Sequence, residues 1–220
     1  RSHPAVVSGT AQAGFSNVPP SVTGIGFTNH LSLATSLANT PVNNGSGLAL
    51  GDVDGDGWCD VYFCRLDGPN ALYRNLGGWR FEAVPDAGGA ACADQWSTGA
   101  VLADVDGDGD LDLLVNGIGK GTRLFRNNGR GAFTWDEGSG LAKDSGAMSM
   151  ALADMDGDGD LDLYVANYRS ETILDQPQTR FGLRMVDGRP VLASINGVAV
   201  TNAASRNRFY LGANGVAREA

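Results

Sequence analysis

Three stretches of the chain set carboxylates at alternate positions. "DVDGDGWCD" begins at Asp52, "DVDGDGDLD" at Asp104 and "DMDGDGDLD" at Asp154. Numbered from the first aspartate, positions 1, 3, 5 and 9 are Asp52, Asp54, Asp56 and Asp60 in the first loop. They are Asp104, Asp106, Asp108 and Asp112 in the second, and Asp154, Asp156, Asp158 and Asp162 in the third. Position 6 is Gly57, Gly109 and Gly159, and glycine tolerates the positive φ that a tight loop needs. Alternate carboxylates on a curled loop converge on one point. A hard cation that takes about 6–8 oxygen ligands at about 2.3–2.6 Å fits such a point. The position 7 carbonyls of Trp58, Asp110 and Asp160 offer one further oxygen each. The expected ion is Ca²⁺, one per loop and three in all. Mg²⁺ keeps more of its waters, and ligand positions without His or Cys do not suit zinc or copper.

An EF-hand opens with the same spacing but needs a bidentate Glu at position 12. Here position 12 is Phe63, Val115 and Val165, each inside an apolar run. The loops also account for much of the charge. They hold 14 of the 25 acidic residues, and three divalent ions would move the formal net charge from −9 to −3. That balance argues against nucleic acid as a partner, because a polyanion calls for a basic patch. Three equivalent carboxylate clusters also argue against a glycosidase-type acid pair, since an active site is normally single. His3 and His30 offer little for catalysis.

Such loops need elements that hold their ends together. The first aspartates are 52 and then 50 residues apart, and a second motif keeps the same register. "ALYRNLGGWRFEAV" follows the first loop, and "RLFRNNGRGAFTW" follows the second. Tyr73, Arg74, Asn75 and Phe81 return as Phe125, Arg126, Asn127 and Phe133. Two motifs in one register establish a repeat. Each unit reads as four short strands, at 47–51, 60–64, 70–75 and 79–84 in the first. The runs "VYFC", "LDLLV" and "LDLYV" are too short for helices and are punctuated by Gly, Asn and Asp. The expected fold is all-β, with four-stranded antiparallel β-propeller blades. About three are present, which makes a partial propeller or a fragment of one.

The expected organisation is an N-terminal lead-in or closing strand at 1–45, blade one at 46–95, blade two at 96–146 and the inner hairpin of blade three at 147–168. Residues 169–220 break the register and read as an insertion running to the chain end. That insertion contains two hairpins. Strands at 181–186 and 189–195 flank Asp187-Gly188, a pair suited to a type I′ turn. Strands at 207–212 and 216–219 flank Asn214-Gly215. An alternative takes "RFYLGANGVAREA" as a divergent second half of blade three. "RSHPAVVSGT" reads as a processed or truncated start. No apolar run approaches the roughly 18 residues of a membrane span.

The three loops and the strand motif that follows them resemble the FG-GAP/VCBS repeat family, whose members include the propeller of integrin alpha subunits. The resemblance covers roughly residues 46–168. Within the family the chain most resembles secreted bacterial proteins that pair such repeats with an ASPIC/UnbV module, and "TGIGFTNHLS" is similar to the lead-in strand of those proteins. The resemblance implies a calcium-stabilised propeller that is extracellular or periplasmic and is not an enzyme. It implies a binding or adhesion module with a protein or glycan surface partner. A structural subunit of a self-assembling sheath or filament is the alternative, and a non-catalytic part of a carbohydrate-active enzyme a third reading. In an exported protein a Cys64–Cys92 disulfide is expected, with Cys59–Cys92 and buried thiols as alternatives. Trp58, Trp79, Trp96 and Trp135 are expected in blade packing rather than in a sugar-stacking platform.

Overall fold

A computed structural model describes residues 15–169 and, beyond them, residues 178, 180–195, 198–199, 208–211 and 218–219. The described residues form three four-stranded antiparallel sheets and one three-stranded sheet. Blade one is β1 (Leu48–Gly51), β2 (Asp60–Phe63), β3 (Ala71–Asn75) and β4 (Phe81–Val84), paired in chain order. Blade two repeats that order with β5 (Trp96–Ala103), β6 (Asp112–Ile118), β7 (Gly121–Asn127) and β8 (Phe133–Trp135). Each Asp loop joins the first two strands of its blade.

Blade three begins with β9 (Gly146–Ala153) and β10 (Asp162–Tyr168). The chain then forms a separate sheet from β11 (Phe181–Val186), β12 (Arg189–Ile195) and β13 (Val198–Ala199). The expected turn between β11 and β12 is present, with positive φ at both Asp187 and Gly188. The chain returns as β14 (Arg208–Leu211), which pairs with β10, and β15 (Arg218–Glu219), which pairs with β14. The insertion therefore does not run to the chain end. Its last segment completes blade three, as in the divergent-half alternative. The Asn214-Gly215 turn lies outside the described residues.

The second correction concerns the lead-in. Residues 15–45 hold no strand. They form α1 (Pro20–Thr23), α2 (Leu33–Ala38) and a 3-10 turn at Thr40–Asn44. The "TGIGFTNHLS" stretch docks through side chains instead of through strand pairing. Phe27 stacks on Phe63 at 4.7 Å between ring centroids, and the Arg65 guanidinium lies 4.7 Å from the Phe27 centroid. Gly24, with φ of 74°, ends α1 where any Cβ would meet the Phe81 carbonyl oxygen at 2.7 Å.

Period-2 alternation explains how blades stack. Leu113 and Val115 of β6 face blade one and join Tyr62, Leu72, Phe125 and Phe133 in one buried cluster. Leu114, between them, faces the other way and packs with Leu124, Leu163 and Val165 toward blade three. A third cluster sits at one end, where Val42 and Leu31 of the lead-in meet Leu66, Trp96, Ile118 and Met148. Polar contacts stitch the first strands across blades. The Thr98 hydroxyl donates to the Ala147 carbonyl at 2.6 Å, and the Gly47 N–H donates to the Thr98 carbonyl at 2.8 Å.

Cys64 and Cys92 are buried in the core between blades one and two, but the expected disulfide is not formed. All three cysteines are free thiols. Burial pushes both buried thiols up, Cys92 to about 11, so they pack as small protonated side chains. Of the four tryptophans, Trp96 packs in a core cluster, whereas Trp58, Trp79 and Trp135 are exposed. Trp135 instead carries the Arg123 guanidinium 4.6 Å from its ring centroid.

Candidate metal centres

Each Asp loop is wound by its own carboxylates before any ion is considered. In loop two, the Asp104 carboxylate accepts the Gly107 and Gly109 N–H groups at 2.7 and 3.0 Å. Asp106 accepts the Asp108 N–H at 3.3 Å and Asp108 accepts the Asp110 N–H at 2.9 Å. Loop three repeats the set, with Asp154 on Gly157 and Gly159, Asp156 on Asp158, and Asp158 on Asp160. In loop one, Asp52 accepts from Asp56 and Gly57, Asp54 from Asp56, and Asp56 from Trp58. Such side-chain turns are the local reason that Asp and Gly fold this way. Gly109 and its equivalents have φ above 90°, which an L side chain rarely adopts.

The winding brings the acids together. Carboxylate oxygens of Asp52, Asp54 and Asp60 lie within 4.8 Å of one another, as do those of Asp104, Asp106 and Asp108, and those of Asp154, Asp156 and Asp162. Positions 1 and 3 thus meet in every loop. Position 9 joins them in loops one and three, and position 5 joins them in loop two. Asp56 and Asp158 lie outside these groups, and so does Asp112.

Position 9 is the anchor. Asp60, Asp112 and Asp162 are 0%, 1% and 0% exposed. Asp60 accepts the Val53 N–H at 3.0 Å and the Asn75 N–H at 2.7 Å. Asp112 accepts the Asn127 N–H at 2.9 Å, and Asp162 accepts the Met155 N–H at 2.8 Å. Burial pushes the carboxyls of Asp60 and Asp112 up, and those N–H donors oppose the shift. At position 7 the Trp58 ring lies against Gly77 and the Asp110 carboxylate against Gly129 of their outer hairpins. A Cβ on Gly77 would meet the Trp58 ring at 3.2 Å, and one on Gly129 would meet the Asp110 carboxylate at 2.5 Å.

The donor set fits a hard divalent cation. All the converging atoms are carboxylate oxygens, and in loops one and three one of them is buried and fixed by backbone donors. A cation already stands against two of the loops. The Arg126 guanidinium lies 3.0 Å from Asp106, 3.1 Å from Asp112 and 3.3 Å from Asp136. Arg74 lies 2.6 Å from Asp54, a charge contact without hydrogen-bond alignment.

Reading the carboxylates alone misses the outer-hairpin residues that complete each loop. Asn127 donates from its side chain to the Leu111 carbonyl of its own loop at 3.0 Å and to the Val53 carbonyl of loop one at 2.8 Å. Asn75 makes the equivalent contact to Cys59 at 2.9 Å. Their signal was the Arg-Asn pair, repeated at the same distance from loops one and two. It marks a repeat, and the folded chain shows that it also marks a lid over the carboxylates.

The FG-GAP-like repeat model matches residues 52–115 and 104–165, together more than half of the chain. Each match runs from position 1 of one Asp loop to position 12 of the next, so the matched unit spans two loops and the outer hairpin between them. Cartilage acidic protein 1 of Xenopus tropicalis is 28% identical over 93 residues, which is 42% of this chain and 14% of that protein. The chain thus spans a small part of that relative's length. Among the described residues no helix is long and apolar enough to cross a membrane. The all-β blades, the recurring Asp loops and the matched residues together place the chain in the FG-GAP-like repeat family.

Proposed function

We propose that this chain is a calcium-binding propeller segment that serves as a non-catalytic binding or adhesion module outside the cytoplasm, in an extracellular or periplasmic setting. The supporting observation is the threefold convergence of carboxylate oxygens within 4.8 Å at the innermost turn of each blade. In this reading the ligands are the aspartates at positions 1, 3, 5 and 9 with the position 7 carbonyls of Trp58, Asp110 and Asp160. Bound Ca²⁺ would supply charge neutralisation, and the chain's own part is to hold the two inner strands in register. With the loops rigid, the turns between blades become a fixed surface for a protein or glycan partner. Calorimetric titration with Ca²⁺ and Mg²⁺ tests the metal part, with three Ca²⁺ sites expected. No heat up to millimolar Ca²⁺ would refute it. A glycan array and a pull-down with the folded chain test the partner part.

A second reading, assembly with further copies, has its own observation. Leu48 and Leu50 of β1 are 49% and 58% exposed on the flank of blade one. Sedimentation with and without Ca²⁺ separates the two readings, because a strict monomer at all concentrations contradicts assembly.

A further inference from the structure

The three loops share a ligand pattern but differ in what stands over it. Arg126 spans three carboxylates of loop two and its surroundings, two of which, Asp106 and Asp112, are metal-ligand candidates. It holds Asp112 on itself, and Asp112 is the position 9 carboxylate that is missing from the converging group of loop two. Arg74 holds Asp54 of loop one in the same way, though more loosely, from a side chain that is 41% exposed. Strand register identifies the third equivalent. Val61 pairs with Tyr73, Leu113 with Phe125 and Leu163 with Tyr210. The next residue along the outer strand is Arg74 in blade one, Arg126 in blade two and Leu211 in blade three. At the register position where two blades carry a cation, the third carries an aliphatic residue.

We propose that Arg74 and Arg126 are internal counter-cations that hold loops one and two closed without an ion and oppose the entry of a divalent one, so that loop two fills at a higher Ca²⁺ concentration than loop one. The proposal rests on the calcium reading above. A guanidinium at 3 Å neutralises part of the repulsion among the aspartates, which keeps an ion-free loop wound. The same charge repels Ca²⁺ and occupies oxygens that the ion needs. Full coordination at loop two requires Arg126 to release Asp106 and Asp112. Loop one requires release of Asp54 alone. One residue type thereby exchanges affinity for ion-independent order, and the blades become unequal sensors of calcium concentration.

Hydrogen exchange read by mass spectrometry across a Ca²⁺ titration of the 220-residue chain tests this loop by loop. Peptides covering 52–60 should gain protection at a lower Ca²⁺ concentration than those covering 104–112. Arg126→Leu should lower the concentration needed at loop two on the order of tenfold, from the removal of a unit charge next to the ion. Arg74→Leu should lower the concentration needed at loop one by a smaller factor. If Ca²⁺ protects the loops but Arg126→Leu leaves loop two unchanged or makes it need more, the arginine proposal is overturned and the calcium reading stands. If no loop responds up to millimolar Ca²⁺ in either protein, both fall. Should Arg126→Leu not fold, Arg74→Leu decides, and an unchanged loop one overturns the proposal.

Discussion

Blades two and three start from nearly the same inner hairpin and close it differently. In blade two, β7 follows β6 after a two-residue turn, and every residue of β6 is buried. In blade three, β14 reaches β10 only after residues 169–207, and β10 is buried at its Asp162 end and exposed at Tyr168. Blade two has a described blade on each side, so both faces of β6 find apolar partners. Blade three has one such neighbour. An inner hairpin is thus specified by its own dozen residues, whereas its stability is conferred by what packs on either face.

The largest effect that follows is a core truncation. Leu113→Ala removes a side chain that is 0% exposed in the cluster between blades one and two, and should cost about 3–5 kcal/mol. Leu163→Ala, at the matching position of blade three and 5% exposed, should cost nearer about 2 kcal/mol because its surroundings can relax. Urea melts of the two variants measure the difference. Equal losses would mean that the neighbouring blade contributes little.

Chelation comes next. If the calcium reading holds, three sites each occupied at about five times their Kd add about 3 kcal/mol together. EGTA should then lower the melting temperature by several degrees, and Mg²⁺ should not restore it. The loosening should be greater for β9–β10 than for β5–β6, since blade two is packed on both faces by described blades and blade three on one.

Asparagine truncation gives a smaller and more local contrast. Asn127 is 8% exposed and bridges loops one and two through Val53 and Leu111. Asn127→Ala strands those buried carbonyls and should cost about 2 kcal/mol. Asn75→Ala removes a solvent-exposed bond to Cys59 and should cost about 0.5–1 kcal/mol.

Much of the fold was legible because its signals are short-range. The strand spans of blade one, the Asp187-Gly188 turn and the converging aspartates each depend on neighbours within about a dozen residues. What could not be read needed long-range geometry. "RFYL" at 208–211 lines up with "RLFR" at 123–126, with Arg208 in register with Arg123, yet it lies far from its hairpin partner in sequence. A lead-in that docks by scattered side chains, Phe27 on Phe63 and Leu31 and Val42 in an end cluster, leaves no periodic trace, which is why a strand was expected there. Cys64 and Cys92 are close to the same core, but spacing alone does not distinguish a bridge from two packed thiols.

The smallest expected effect is electrostatic and separates blade two from blade one. Arg123 donates to both carboxylate oxygens of Asp94 at 2.7 Å from a side chain that is 9% exposed, while blade one carries Ala71 at the equivalent place. Those hydrogen bonds hold the Asp94 carboxyl below the usual carboxylate range. A depressed folded-state value means that the stabilisation is complete above the unfolded pKa, near about 3.9, and is lost as pH falls through the folded value. The Asp94 side chain is 60% exposed, so solvent screening limits the contribution to about 0.5 kcal/mol. Asp94→Asn should therefore be less stable than the parent at pH 6 by about that amount, and the gap should narrow as the pH drops below about 4. A gap that stays constant down to pH 2.5 would show that the pair acts through packing of Arg123 on Trp135 and not through charge.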